Sequence, residues 1–232
     1  IKRSPLCGRN FEYFSEDPYL AGKMAAAYVR GIQKNGVAAC PKHFAVNSQE
    51  LRRMASDSIV DERTLREIYL TGFEMVVKEA HPKTIMSAYN LINGTYANEN
   101  AHLLQDILRK DWGFEGAVVT DWGGSNDHAL GVKNGSTLEM PCPGDDSIRE
   151  LVKAVETGKI TEADVDARLE ELLELVFTTK AAVDAAPGKF DADAHHALAR
   201  RAAAQSIVLL KNENSLLPLA KGEKVAVIGD FA

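Results

Sequence analysis

The stretch Gly116–Trp122, GAVVTDW, decides the fold of this chain. An apolar run over Ala117–Val119 is followed at once by a threonine, by Asp121 and by the large ring of Trp122. An apolar run that turns polar at its carboxyl end is typical of a parallel strand, because both faces of such a strand are buried. The stretch therefore predicts a strand of an α/β domain.

Other β-rich runs precede and follow this strand. They cover Val37–Phe44, Thr84–Tyr89 and Thr137–Met140. Helical patterns alternate with them and are predicted from Pro18 to Gly36, from Asp61 to Ala80, over Glu99–Lys110, over Ser147–Glu156 and from Thr161 onwards, and Asn93-Gly94 marks a turn. Four strands that alternate with helices predict a parallel sheet or a barrel, whose active site lies at the carboxyl ends of the strands.

Polar and aromatic residues collect at those predicted strand ends. A carboxylate such as Asp121 beside the flat ring of Trp122 suits a sugar site, since the carboxylate acts at the anomeric carbon and the ring stacks on the sugar. A lone Asp after a strand is also a common cap or turn residue. Lys42 and His43 are adjacent, so a regular strand would point them to opposite faces. If both serve one pocket, the backbone there must be irregular.

The composition narrows the class of protein. Of 232 residues, 45% are apolar, which is enough for one large domain or two smaller ones. The net charge of −6 argues against duplex nucleic acid and anionic membrane surfaces as partners. The cysteines Cys7, Cys40 and Cys142 are too few and too scattered for a disulfide framework. They favour a reducing compartment, and we predict a cytoplasmic location.

No metal or cofactor site is predicted. His195 and His196 are consecutive, so on a helix their side chains point about 100° apart. A third metal ligand is absent at a useful spacing, and the pair is interpreted as a solvated helix start. The small-residue pairs Gly123-Gly124 and Gly135-Ser136 do not extend to a nucleotide-binding motif.

The alternating pattern breaks over residues 179–193, which are Ala-rich and include Pro187 and Gly188. We therefore predict one domain over 1–178, a linker over 179–193, and the start of a second α/β domain over 194–232. A helix over His195–Leu210 and a strand over Lys224–Asp230 are expected in that last part.

Six separated motifs, in order, resemble glycoside hydrolase family 3 and most of all its β-glucosidases. They are GRNFEYFSEDPYLAG (8–22), KHFAVNSQE (42–50), VDERTLREIYL (60–70), IMSAYNLING (85–94), VVTDW (118–122) and LEMP (138–141). The family's N-acetylglucosaminidase branch has a His-containing loop where this chain has AVNSQE. This departure favours the glucosidase branch.

The resemblance implies an architecture. The chain would carry the C-terminal half of a (β/α)8 barrel of the TIM type, then a linker and the start of an α/β sandwich domain. A half barrel exposes an apolar face and two sheet edges. The chain is therefore expected to pair with a second copy or with missing parts of the same polypeptide. The family's acid/base Glu usually lies in the sandwich domain, so no acid/base is assigned.

The resemblance also implies residue roles. Asp121 would be the nucleophile of a retaining enzyme that removes terminal β-D-glucosyl residues from small or oligosaccharide glucosides. The residues implied to bind the sugar are Arg9, Lys42, His43, Met86, Tyr89 and Trp122, with Asn47 and Arg53 in an outer pocket. Arg9 and Lys42 are expected to keep Asp121 ionised.

Alternative functions remain open at this stage. Family members could act on β-xylosides or N-acetylglucosaminides, and the chain alone could be an inactive fragment. Lys42 at a barrel strand end would also suit a Schiff-base aldolase.

Overall fold

A computed structural model describes residues 1–185 and 188–230. The chain divides into two compact units, Ile1–Ala185 and Ala186–Ala232. In the first unit, helices alternate with short strands, which confirms the α/β class. No helix in the described ranges is both long enough and apolar enough to cross a lipid bilayer.

The helices and strands of the first unit are as follows. The helices are α1 (Pro18–Gln33), α2 (Glu62–Thr64) continuing through a π-helical stretch (Leu65–Leu70) into α3 (Thr71–Ala80), a second π-helical element (His102–Asp111), α4 (His128–Asn134), α5 (Asp145–Glu156) and α6 (Glu162–Asp184). The strands are β1 (Asp57–Ser58), β2 (Thr84–Met86), β3 (Leu91–Ile92), β4 (Thr95–Tyr96) and β5 (Ala117–Val119).

The central sheet follows the order of the chain. Strands β2 and β5 pair in parallel, with Ile85 opposite Val118. The segment 39–44 runs along the other edge of β2, and residues 137–140 run along the other edge of β5. The carboxyl ends of these four parallel segments therefore lie side by side.

The predicted strand Val37–Phe44 is wrong as a regular strand. Only Phe44 forms a bridge, with Ser87 of the segment after β2. Amides of β2 donate to the carbonyls of Ala39 and Pro41, at N···O distances of 3.4 and 3.0 Å. Pro41 has no N–H to return, so the ladder is interrupted where a donor is needed.

The predicted strand Thr137–Met140 is likewise reduced to one bridge, between Leu138 and Val119. The Met140 amide donates to the Thr120 hydroxyl at 2.8 Å instead of to a backbone carbonyl. The next residue, Pro141, has no N–H, so the pairing stops there.

The other two predicted strands are present but end early. β2 ends at Met86 rather than Tyr89, and β5 ends at Val119 rather than Trp122. The polar residues that follow each of them are loop residues at the edge of the sheet. The predicted turn is confirmed: Asn93 and Gly94 have φ values of 50° and 87° and join the antiparallel strands β3 and β4.

The helix starts follow the capping residues. Asp17 accepts a hydrogen bond from the Tyr19 amide at 3.0 Å, and Asp61 accepts one from the Thr64 amide at 2.9 Å. Thr161 and Asp164 form a reciprocal capping box at the start of α6. Short α4, which the sequence analysis does not predict, begins after its own Asp cap.

The core of the first unit lies between the sheet and the helices that cover it. Its largest cluster joins fully buried side chains of the strands and of the second π-helical element, namely Phe44, Ile85, Val118, Leu104, Ile107 and Leu108. A smaller cluster between α1 and α3 contains Val29, Val76 and Ala39. This packing holds the sheet rigid beneath the residues that follow its strands.

Two helices extend into the segment 179–193, which is predicted as a linker. Helix α6 runs on to Asp184, and α7 (Ala192–Ser206) already begins within the segment. Ala-rich sequence has a high helix propensity, which explains why α6 continues past residue 178. Ala186 and Pro187, in the middle of the predicted linker, lie outside the described residues.

In the second unit, α7 accounts for the predicted helix but ends at Ser206 rather than Leu210. The predicted strand Lys224–Asp230 is wrong for the described chain, since no strand is formed there. Val225, Val227 and Ile228 are exposed. A strand needs a neighbouring strand for its hydrogen bonds, and none of the described residues provides one. Phe231 and Ala232 lie outside the described residues.

Candidate active site

Asp121 is a buried carboxylate at the carboxyl end of β5. Its side chain is 11% exposed, and its Oδ1 accepts a hydrogen bond from the Trp122 amide at 2.8 Å. Its Oδ2 has no hydrogen-bond partner among the described residues. Trp122 itself is more than half exposed. The strand end thus presents one oriented, unpaired carboxylate oxygen beside an exposed indole ring.

His43 faces that carboxylate. Its Nε2 lies 3.4 Å from Oδ2 of Asp121, and its Nδ1 lies 2.7 Å from the Tyr13 hydroxyl. Burial lowers the pKa of His43 to about 4, with the positive charges of Lys42 and Arg9 acting in the same direction and Asp121 opposing them. The imidazole is therefore neutral at neutral pH.

Arg9 and Lys42 meet on Glu12. Lys42 Nζ lies 2.8 Å from Oε2 of Glu12, and Arg9 donates to the same carboxylate through both Nε and Nη2. Burial opposes ionisation of Glu12, but the hydrogen bonds and charges of Arg9 and Lys42 outweigh it and lower the pKa of Glu12 to about 2. Contrary to expectation, the two cations pair with Glu12 and not directly with Asp121.

Lys42 and His43 do not alternate as in a strand. Both side chains come within 4.0 Å of Oε2 of Glu12: the Lys42 ammonium at 2.8 Å and His43 Nε2 at 4.0 Å. The backbone is irregular here, as expected if both side chains serve one pocket, and the peptide bond that joins the two residues is cis. His43 Nε2 lies within 4.0 Å of both the Glu12 and the Asp121 carboxylates.

Tyr89 also lies close to Asp121. Its hydroxyl donates to the carbonyl oxygen of Trp122 at 2.8 Å. The Arg53 guanidinium lies 4.5 Å from the centre of the Tyr89 ring, a cation–π contact. Burial, together with the negative charge of Asp121, raises the pKa of the Tyr89 hydroxyl, which therefore remains protonated.

The remaining predicted residues lie around this centre. Asn47 and Arg53 both contact the carboxylate of Glu50, at 3.3 and 2.8 Å. Met86 is the last residue of β2, half-buried and paired with Val119. The structure therefore brings His43 and Tyr89 close to Asp121, and joins the outer residues Asn47 and Arg53 through Glu50.

A largely apolar cavity of about 240 Å³ lies next to the site. It is enclosed by α1, α3 and the segment 39–42, and its walls include Glu12, Tyr13 and Lys42. Neither Asp121 nor Trp122 lines it. The Asp121 carboxylate therefore lies outside the walls of this cavity.

Four residues of this arrangement are missing from the sequence-based site, namely Glu12, Tyr13, Glu99 and the Glu50 that joins Asn47 and Arg53. Glu12 and Tyr13 belong to the quoted motif around Arg9, and the spacing of three residues between Arg9 and Glu12 is the signal that predicts an ion pair. Glu99 is buried, and it accepts hydrogen bonds from the amides of Asn126 and Asp127 at 2.7 and 3.1 Å. It thereby anchors the loop that follows Trp122.

The described side chains include no group of three His, Cys, Asp or Glu that could hold a metal ion. The polar groups that converge on Asp121 are an imidazole, a phenol and the Trp122 amide. Such a set suits recognition and attack by a carboxylate on a polyhydroxylated ligand.

Comparison with known proteins identifies a family match and similar glycosidases. Residues 1–175 match the family model described as the glycosyl hydrolase family 3 N terminal domain. The chain is 51% identical over 231 residues to thermostable beta-glucosidase B of Acetivibrio thermocellus, covering 100% of this chain and 30% of that protein. It is 47% identical over 241 residues to an exo-alpha-(1->6)-L-arabinopyranosidase of Bifidobacterium breve, covering 100% of this chain and 32% of that protein.

A solved structure of a beta-glucosidase is also similar to this chain. Beta-glucosidase 3B from Thermotoga neapolitana, in complex with glycerol, matches with a TM-score of 0.89 at 44% identity, over 95% of this chain and 32% of that chain. The chain thus spans about a third of the length of the proteins it matches. On the family match over most of its length, the chain belongs to glycosyl hydrolase family 3.

Proposed function

We propose that this chain supplies the nucleophile and part of the sugar-binding site of a retaining β-glucosidase, with Asp121 as the nucleophile. The observation that carries the proposal is the unpaired Oδ2 of Asp121, buried at the end of β5 beside the exposed ring of Trp122. The beta-glucosidases among the similar proteins support the substrate class.

The two oxygens of Asp121 have different roles in this proposal. Oδ1 is held by the Trp122 amide, which fixes the orientation of the carboxylate. Oδ2 attacks the anomeric carbon, and the glycosidic oxygen leaves with a proton from a second carboxylic acid about 5–5.5 Å away. Water then cleaves the glycosyl-enzyme and restores the Asp121 carboxylate. The second carboxyl group is not assigned to a residue of this chain.

Hydrogen-bond donors for the sugar hydroxyls surround Asp121. Arg9 and Lys42 are anchored on Glu12 and keep further N–H groups available, and the Lys42 side chain is 41% exposed. His43 and Tyr89 both lie close to the carboxylate. Met86 and the Trp122 ring supply apolar contact for the C–H faces of the sugar, completing the proposed site.

The proposal includes the architecture predicted from the resemblance. The four parallel segments in chain order are taken as the C-terminal half of a (β/α)8 barrel, with Asp121 at its carboxyl-end face. The domain limits of 1–178 and 194–232, with a linker between them, belong to the same proposal. An α/β sandwich domain would begin in the second part.

The substrate assignment has one specific competitor. A similar protein from Bifidobacterium breve is named an exo-alpha-(1->6)-L-arabinopyranosidase. We favour terminal β-D-glucosides because beta-glucosidases recur among both the sequence relatives and the solved structures. Rates of release from matched aryl β-glucoside, β-xyloside, N-acetyl-β-glucosaminide and α-L-arabinopyranoside substrates separate these possibilities.

The assignment of Asp121 is tested by Asp121→Asn in the full-length protein. Hydrolysis of an aryl β-glucoside should fall by at least about a thousandfold, roughly 4 kcal/mol in barrier, because a carboxamide does not act as the nucleophile. The control is Asp166→Asn, an equal change on the exposed face of α6, which should leave the rate unchanged.

A second variant separates chemistry from folding. Asp121→Gly leaves space for an external anion, so azide should restore part of the rate and yield a glycosyl azide of inverted configuration. Retention of more than about a tenth of the wild-type rate by Asp121→Asn would overturn the assignment. So would a folded Asp121→Gly variant that azide does not rescue while another carboxylate variant responds.

A further inference from the structure

The contact between Tyr13 and His43 goes beyond the residues assigned above. The Tyr13 hydroxyl lies 2.7 Å from Nδ1 of His43, on the side of the imidazole ring away from Asp121. The two rings are tilted by 53°, with centroids 6.0 Å apart, so the contact is a hydrogen bond and not a stack. Tyr13 follows directly after Glu12. Residues 9–13, which precede α1 and form what we call the first segment, therefore contact both Lys42 and His43.

The position of the proton on His43 follows from its two neighbours. A neutral imidazole carries one N–H, on either Nδ1 or Nε2. With the proton on Nδ1, the Nε2 lone pair would face the carboxylate oxygen Oδ2 of Asp121 at 3.4 Å, and two acceptors would repel each other. With the proton on Nε2, the Tyr13 hydroxyl donates to Nδ1 and the Nε2–H faces the carboxylate. Only this second arrangement gives both ring nitrogens a favourable neighbour.

The surroundings maintain that arrangement. The His43 side chain is 1% exposed, so water does not replace a lost partner. Burial raises the pKa of Tyr13, and its hydroxyl therefore keeps the proton that it donates. The charged groups that face His43 are Lys42 beside it, Arg9 and Glu12 from the first segment, and Asp121 from β5. None of them contacts Nδ1.

We propose that Tyr13 is a positioning residue which holds His43 as the Nε2–H tautomer, so that His43 turns an N–H, and not a lone pair, towards Oδ2 of Asp121. The inference rests on the proposed function, in which that oxygen is the nucleophile. Tyr13 itself does not touch the substrate. It decides which ring nitrogen of His43 is a donor and which is an acceptor.

The direct test is the tautomer of His43 in the full-length protein, read from the 15N shifts of its ring nitrogens after histidine labelling, with His43→Gln used for assignment. At neutral pH the wild type should show a protonated Nε2 and an unprotonated Nδ1. Tyr13→Phe should convert this signal to a mixture of tautomers. Tyr69→Phe is the matched control, since Tyr69 lines the same small space but its hydroxyl pairs with Arg3.

Kinetics supply the second measurement. Tyr13→Phe should lower kcat/KM for an aryl β-glucoside by about ten- to a hundredfold, because a buried acceptor loses its donor and the ring loses its orientation. Tyr69→Phe should change it less than about twofold, and both variants should melt as cooperatively as the wild type.

The outcomes are distinct. A wild-type His43 that carries its proton on Nδ1, or that is charged at neutral pH, overturns the role of Tyr13 even if Tyr13→Phe does not fold. An unchanged tautomer in folded Tyr13→Phe, with kcat/KM equal to that of Tyr69→Phe, also overturns it. If the tautomer responds as expected but the protein cleaves no glycoside, the proposed function fails while the control of His43 by Tyr13 stands.

Discussion

Two largely buried carboxylates in the first unit, 14% and 13% exposed, each hold two basic side chains, and their environments differ. Glu12, at the carboxyl ends of the strands, pairs with Arg9 and Lys42. Glu171 of α6 lies at the amino ends of the strands and pairs with Arg109 and Arg168. We name these the Glu12 cluster and the Glu171 cluster.

The cations of the two clusters differ in their access to water. The side chains of Arg109 and Arg168 are each 13% exposed, whereas Lys42 is 41% exposed. In the Glu171 cluster burial prevails over the neighbouring cations and raises the pKa of Glu171. In the Glu12 cluster the ion pairs prevail and lower the pKa of Glu12 to about 2. Removing one partner from an enclosed cluster leaves buried polar groups unpaired and destabilises the fold, while a cluster with accessible cations can also bind a ligand.

The largest expected effect concerns the enclosed cluster. Arg109→Met should lower the free energy of unfolding by about 3–5 kcal/mol, because three hydrogen bonds are lost: the carbonyls of Gly116 and Gly135 lose their guanidinium donor, and Glu171 keeps only Arg168 and Thr137. Urea unfolding measures the loss. The control is Lys110→Met, the next residue on the same helix, which is 73% exposed and should cost less than about 0.5 kcal/mol.

The contrast between the clusters would fail if Arg109→Met and Lys110→Met were equally stable. It would fail as well if Arg109→Met lost catalysis while its stability stayed at the wild-type value, since the enclosed cluster would then act on the site.

The second effect concerns pH and His43, which lies against the Glu12 cluster. Its pKa in the folded protein is about 4, below its ordinary value of 6.5, so the folded state disfavours the charged form. The stability that this neutral group contributes is complete above pH 6.5 and is lost as the pH falls towards 4. The difference corresponds to about 3 kcal/mol.

His43→Gln should therefore remove most of the decline in unfolding free energy between pH 6.5 and 4, measured by urea unfolding at each pH. The comparison variant is His102→Gln, at a half-exposed histidine paired with Glu62 on the surface. If the unfolding free energy of His43→Gln declined between pH 6.5 and 4 as steeply as that of the wild type, another group would titrate in this pH range.

The smallest effect concerns the Glu12 cluster itself. Glu12→Gln should cost about 2 kcal/mol of stability at neutral pH, less than the enclosed cluster, because Arg9 and Lys42 remain within reach of water. Since the folded pKa of Glu12 is depressed, this cost should shrink as the pH falls from 4.5 towards 2.

Glu12→Gln should also lower kcat/KM for an aryl β-glucoside about tenfold, as Arg9 and Lys42 lose their common anchor. Glu16→Gln, an exposed change four residues away, serves as its control. A Glu12→Gln variant that is as active as Glu16→Gln but less stable than Arg109→Met would reverse the comparison between the clusters.

The elements that could be predicted from sequence are those whose signals are local. The caps at Asp17, Asp61 and Thr161 each act within three residues, and the Asn93-Gly94 turn requires only its own backbone angles. The apolar run before Asp121 likewise places the residue at a strand end without reference to any other element.

Elements that depend on distant partners were predicted less well. The segment over 37–44 has the composition of a strand, yet Pro41 faces β2 at a position where the ladder needs a donor. Residues Lys224–Asp230 also have a strand pattern, but pairing requires a neighbour that the described chain does not provide. The residue pattern of a segment does not show which other segment, if any, it can pair with.

The sequence by itself determined the α/β class, the helix starts and the position of Asp121 beside Trp122, because these follow from patterns within a few residues. Only the tertiary structure decided that Lys42 would meet Glu12, and that His43 would stand between Tyr13 and Asp121. Those contacts join segments 30 or more residues apart, and their geometry follows from how the first segment packs against the sheet. Charge and proton position at the site are therefore properties of the fold.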